Sequence, residues 1–213
     1  MKNIHTTIEQ QEILKRARID INESQPSTIF MGNFGSGKTE ILRMIADKYN
    51  TTLYTDSMIS AIYEKEGQFG INRLVETPVL ILDDIEGDVK STSYGSKSRE
   101  LIDQIIFMKL EKMASMNSEY AKIVSHIEFL NDQRSKSQSP YTDEEFQVIM
   151  NSRESARKNW ENAIENGSKL FVSTNLTSKD FKIRFEGKTY DRIKAHLKVI
   201  TMTTASSMRS INK

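Results

Sequence analysis

A short apolar run that passes directly into a glycine-rich loop constrains this chain more than any other feature. Residues 28–39 read Thr-Ile-Phe-Met-Gly-Asn-Phe-Gly-Ser-Gly-Lys-Thr and contain the complete G-x-x-x-x-G-K-[ST] phosphate loop. Glycines let the backbone curl so that successive N–H groups face an anion, and the helix that follows adds the positive end of its dipole. The pattern therefore predicts strand, loop, then helix, with a nucleoside triphosphate held by Gly32, Asn33, Phe34, Gly35, Ser36, Gly37, Lys38, Thr39 and Glu40. Lys38 is expected to neutralise the β- and γ-phosphates, and Thr39 to coordinate Mg²⁺. Ile41, Leu42, Met44 and Ile45 supply the apolar face of the helix. A chance glycine turn capping a helix is the competing reading.

Composition bounds what can be built around this loop. A length of 213 residues suits one sizeable α/β domain, or such a domain with an appendage. The formal net charge of +1 gives no whole-molecule basic field, so any DNA contact must be local. The absence of cysteine excludes disulfides and thiolate metal sites and fits a reducing compartment. The first residues show no apolar signal core, and no apolar run approaches membrane-spanning length. The expectation is a soluble, cytoplasmic protein with no membrane partner. His5, His126 and His196 are scattered and suggest no metal site.

Along the chain, α/β alternation is interrupted by a long helical stretch and then resumes. Residues 7–21 carry Ile8, Ile13, Leu14 and Ala17 at helical spacing, which predicts a helix beside the nucleotide, ended by the polar turn 22–26. A β-rich segment near Leu53 precedes a helix over about 56–63 and a glycine-containing connection between Gly67 and Gly70. The run Pro-Val-Leu-Ile-Leu at 78–82, followed by Asp83 and Asp84, reads as a buried parallel strand with acids at its carboxyl end. Ligands of an open parallel sheet sit beyond those ends, so both acids should face the phosphates. Asp83 is assigned to the metal and Asp84 to the attacking water, with Glu86 as a weaker substitute base. The duller alternative is a pair of solvated acids capping a turn.

From residue 98 to 167 the periodicity stays helical. Ile106, Leu110, Met113, Met116, Tyr120, Ile123, Ile127 and Leu130 recur at steps of three and four, predicting one long helix. Residues 134–140 break it, and Thr142-Asp-Glu-Glu145 forms a capping box for a second helix with Phe146, Ile149, Arg153, Ala156, Trp160 and Ala163 on one stripe. An antiparallel hairpin over 112–166 follows, its stripes packing on each other, with Arg153, Arg157 and Lys158 read as a solvated face. After Gly167, the run 169–175 resumes the sheet and ends at Asn175.

Four motifs occur together: the phosphate loop, Leu-Asp83-Asp84-Ile, Ser173-Thr-Asn175-Leu, and the stretch 185–193 ending Tyr-Asp191-Arg192-Ile. In this order they resemble bacterial replicative helicase loaders of the DnaC/DnaI type, which are AAA+ ATPases; the likeness covers residues 29–110 and 168–213. It implies an AAA+ core with a five-stranded parallel sheet, strands near Thr28, Leu53, Val79, Leu170 and Leu197, and the helical hairpin as an insertion. It also implies ATP hydrolysis with Mg²⁺, assembly into a homo-oligomer, and action on a replicative helicase in DNA replication. Asn175 corresponds to sensor 1, Arg192 to an arginine finger that completes a neighbouring subunit's site, and Arg209 to the sensor 2 arginine. Arg192 as a local helix cap and Arg209 as a tail arginine are the plainer readings.

The chain departs from the loader pattern in three places. The family's helicase-binding domain has no counterpart in the residues before the core, and the hairpin stands where a short connection is expected, as a substitute partner module. The loop after Asp84 aligns loosely with a region that touches single-stranded DNA in relatives; there Tyr94 would stack on a base and Lys90 and Lys97 would meet phosphates. Rival readings are an IstB-like transposition helper with a similar core, a small-molecule P-loop kinase using residues 153–158 as a lid, and a scaffold whose nucleotide is structural.

Overall fold

A computed structural model describes residues 6–85, 93–136, 139–185 and 187–202, without the side chains of 93–98 and 164–167. The described residues form an α/β fold with one all-parallel five-stranded sheet and seven helices. Strands β1 (Thr28–Met31), β2 (Leu53–Tyr54), β3 (Val79–Leu82), β4 (Lys169–Thr174) and β5 (Lys198–Thr201) lie in the order β2-β3-β4-β1-β5. Every residue of β1, β3 and β4 is buried, as continuous Val/Ile/Leu/Phe runs require when both faces of a parallel sheet are covered. At the edge, β5 exposes Lys198, Val199 and Thr201 and buries only Ile200.

The helices are α1 (Ile8–Ala17), α2 (Lys38–Tyr49), α3 (Asp56–Glu76), α4 (Ser93–Ser135), α5 (Asp143–Gly167), α6 (Ser178–Arg184) and α7 (Lys188–His196). Among the described residues none is long and apolar enough to cross a membrane. Ile41, Leu42, Met44 and Ile45 of α2 join Ile13, Leu14 and Ala17 of α1 and Phe30, Ile81 and Phe171 of the sheet in one buried cluster. α1 begins with a reciprocal Thr7/Gln10 capping box and stops earlier than the apolar spacing suggests, because Arg18 adopts a left-handed φ of 55° that closes the helix at Ala17. The expected connection from Gly67 to Gly70 is instead a single break: Gly67 leaves helical geometry (φ 59°, ψ −144°), and α3 continues beyond it to Glu76. α4 likewise starts at Ser93, five residues before the expected onset.

By backbone contacts the chain divides into two compact units, Met1–Leu110 with Lys169–Lys213, and Glu111–Ser168. The first holds the sheet. Its ends are tied by buried lysines: fully buried Lys109 of α4 donates to the Val75 and Thr77 carbonyls at 3.1 and 2.5 Å, closing the end of α3. Lys169 donates to the Gln25 carbonyl at 2.7 Å and Ser24 Oγ at 2.9 Å. The second unit is an antiparallel helix pair, since Tyr120 of α4 bonds Glu161 near the end of α5 at 2.9 Å, while Arg134 pairs with Asp143 at its start. Its Thr142/Glu145 capping box forms as the sequence spacing predicts.

Candidate functional site

Sheet order determines which residues can meet. Because β4 lies between β1 and β3, and all three run parallel, their carboxyl ends are neighbours. Met31 is level with Thr174, and Leu82 with Val172, so one step further brings Asp83 beside Ser173 and the start of the phosphate loop beside Asn175. The loop closes on α2 through Gly37, whose φ of 91° favours glycine, and a Cβ there would stand 3.0 Å from Ile13 Cγ2 of α1. Gly32 is tighter still: at φ 150°, a Cβ would fall 2.2 Å from the Met202 carbonyl oxygen just past β5.

Two hydrogen-bond chains organise these ends. In the first, Lys38 Nζ, on a side chain buried within the loop, donates to Asn175 Oδ1 at 2.6 Å, and Asn175 Nδ2 donates to Asp84 Oδ1 at 3.0 Å. The same ammonium also donates to the Gly32 and Asn33 carbonyls at 2.7 and 3.1 Å. In the second, Thr39 Oγ1 donates to Asp83 Oδ1 at 3.2 Å, Ser173 Oγ donates to that same oxygen, and the Asp84 N–H donates to Ser173 Oγ at 2.8 Å. A cation, two carboxylates, an amide and two hydroxyls thus converge from α2 and the ends of β3 and β4.

All but Asp83 line a cleft of about 740 Å³, where Phe34, Gly35, Ser36, Gly37, Lys38, Thr39 and Glu40 of the loop and α2 join Asp84, Ser173 and Asn175. That size lies within the ordinary range for a small-molecule site. α1 adds Thr7, Glu9, Gln10 and Ile13 to the lining as a further wall. Gln10 Nε2 donates to Glu40 Oε1 at 2.7 Å, joining that wall to the first turn of α2. Gly32, Asn33 and Asp83 stand behind the lining, Asp83 buried at 7% exposure. Phe34, 68% exposed, stands out at the loop's tip.

The oxygen set of Thr39 and Asp83 suits a hard cation such as Mg²⁺, which takes few protein oxygens and completes its shell with phosphates and water. No cluster of three or more His, Asp or Glu side chains able to hold a metal occurs among the described residues.

Arg192 is not part of this lining. Its guanidinium lies over the Phe107 ring of α4, 4.8 Å from the centroid. His196, one turn along α7, is held below the usual imidazole range by burial and by the Arg192 charge. Arg209, Glu86 and Lys90 lie outside the described residues, as do the side chains of Tyr94 and Lys97.

The sequence reading did not assign Ser173, Gln10, Arg184 or Asp103. Ser173 carried a partial signal, a hydroxyl two positions before Asn175 on an apolar strand, and only the pairing of β4 with β3 brings it beside Asp83. Arg184 and Asp103 carried none, because they are 81 residues apart and meet only in the folded chain. Burial pushes the Asp103 carboxyl up, and the Arg184 charge offsets only part of that rise.

Comparison with known proteins adds no relative: no family model, curated protein sequence or solved structure matches the chain.

Proposed function

We propose that this chain is an ATPase of the AAA+ class that binds Mg-ATP in the cleft and hydrolyses it to ADP and phosphate. The observation that carries the reading is the convergence of Lys38 and Thr39 at the start of α2 with Asp83, Asp84 and Asn175 at the adjacent ends of β3 and β4. On this reading Lys38 exchanges its bonds to loop carbonyls for the β- and γ-phosphates. Thr39 and Asp83 hold Mg²⁺, which neutralises phosphate charge. Water attacks the γ-phosphorus as its bond to the β–γ bridging oxygen breaks; Asp84 orients that water and takes its proton, and Asn175 fixes the carboxylate and the water together. Arg192, lying outside its own cleft, acts on the site of a neighbouring copy, where charge develops in the transition state.

We further propose that turnover serves a replicative helicase loader or loader-like accessory factor. The support is the order of the four sequence motifs, and the hairpin is the segment that would engage the helicase.

Titration calorimetry and phosphate release test the ATPase. Lys38→Ala should weaken Mg-ATP binding or abolish turnover, whereas Asp84→Asn should bind ATP and hydrolyse it at least about 100-fold more slowly. Parental behaviour of Lys38→Ala would place the nucleotide elsewhere. Co-elution with the host's replicative helicase, with and without a non-hydrolysable ATP analogue, tests the partner. No complex in either state would remove the loader reading and leave the ATPase standing.

A further inference from the structure

Asp84 has an unusual backbone. Its φ of 54° lies in the left-handed region that an L-residue enters only at a cost, although aspartate tolerates it better than most. Such a conformation persists only where the surroundings over-determine it. Here the restraints come from both sides. Upstream, the Asp84 N–H donates to Ser173 Oγ at 2.8 Å, and the next amide, Ile85 N–H, donates to the Ser173 carbonyl at 3.1 Å. Downstream, the Ile85 carbonyl accepts from Arg184 Nη1 of α6. The Arg184 side chain is 2% exposed, and its Nε and Nη2 both donate to Asp103 Oδ1 of α4, at 3.2 and 2.8 Å.

The guanidinium is therefore a rigid fork with one edge on a carboxylate and its remaining terminal nitrogen on a backbone carbonyl adjoining a candidate catalytic acid. Burial of a charged side chain is costly unless its donors are engaged, and this arrangement engages donors on all three nitrogens. We propose that Arg184, anchored by Asp103, is a positioning residue for Asp84. By gripping the Ile85 carbonyl it holds the left-handed turn that presents the Asp84 carboxylate to Asn175. Lysine cannot replace it, because a point ammonium lacks the planar fork that spans carbonyl and carboxylate together.

The inference rests on Asp84 handling the lytic water, but the clamp itself is measurable without nucleotide. In nucleotide-free protein, Arg184→Lys should speed amide hydrogen exchange of the peptide bearing Asp84 and Ile85 by about tenfold or more, with strands β1 and β4 still protected. Single-turnover hydrolysis should fall by about 10- to 100-fold, as expected for displacement of a reacting group by roughly an ångström, while the Mg-ATP Kd stays within about threefold. In an Asp84→Asn background, Arg184→Lys should cause no further loss of turnover, because both changes act through one group. Parental exchange and turnover in Arg184→Lys would overturn the proposal, and so would a full additive loss in the double variant. If Arg184→Lys does not fold, Asp103→Ser removes the anchor and carries the same three readouts. Full turnover in both Lys38→Ala and Asp84→Asn would defeat the assignment of the nucleotide site instead, and exchange alone would then decide the clamp.

Discussion

The sheet unit and the helical pair obtain order by different means. In the sheet unit, strands far apart in sequence pair directly, Phe171, Leu170, Ile81 and Leu80 are fully buried, and even lysines are drawn inside to close carbonyls. In the helical pair, α5 has no fully buried residue among those described, Trp160 and Phe146 are only half-buried, and the polar contacts include exposed pairs such as Lys122 with Glu119 at 2.6 Å. Exposed pairs of that kind contribute little, typically under about 1 kcal/mol. The contrast teaches that residue identity is tightly specified where backbone groups must be satisfied away from water, and loosely where an amphipathic pattern suffices.

The contrast breaks if equivalent truncations cost the same in both regions. Phe171→Ala, at the centre of the sheet, should lose about 3–5 kcal/mol of stability in denaturant titration. Val148→Ala on α5, 69% exposed, should stay within about 0.5 kcal/mol. Equal losses would show that the helical pair is packed as tightly as the sheet. Lys109→Met should lose about 1–3 kcal/mol by leaving the Val75 and Thr77 carbonyls without their donor, and neutrality would mean the buried lysine is a filler.

A smaller effect sharpens the picture at the start of α5. Thr142→Ala should cost about 1 kcal/mol by removing the cap. Glu145 is held below its ordinary range by hydrogen bonds from the Thr142 backbone and hydroxyl. Its folded pKa being depressed, the stability it contributes is present above the unfolded value and is lost as pH falls through the folded one. An acid titration of helicity in Thr142→Ala should therefore lose part of that dependence below about pH 4.3. The smallest expected change is in ATP affinity when residues 113–165 are replaced by a short Gly/Ser linker: a Kd within about threefold of the parent, read by calorimetry, with loss confined to partner capture. An aggregated product would show that the two units fold as one.

The strands and the phosphate loop were legible because their signals are local: continuous apolar runs, glycines, and acids at strand ends. Asp83 and Asp84 followed from a general property of parallel sheets and required no knowledge of strand order, whereas the role expected of Asn175 came from the motif resemblance. Boundaries were less legible. Nothing in the apolar spacing announces the left-handed Arg18 that stops α1, and Gly67 breaks α3 at one residue while Gly70 remains helical. The α1 wall of the cleft and the Arg184–Asp103 pair depend on which elements become neighbours, and no local pattern in one sequence encodes that.

The position of β4 in the sheet has a consequence for how the protein is made. Among the described residues, β1 pairs only with β4 and β5, and β3 only with β2 and β4. While a ribosome has synthesised no further than α5, the phosphate-loop strand has no pairing partner, although it left the exit tunnel early. The helical pair, built from contacts close in sequence, folds in the meantime, whereas the sheet waits for distant contacts. Emergence of Lys169–Thr174 then joins the two waiting halves and delivers Ser173 and Asn175 in the same event. Nucleotide therefore cannot stabilise the nascent chain through its full set of contacts until β4 has emerged, and until then the edges of β1 and β3 that β4 will cover are open to other chains.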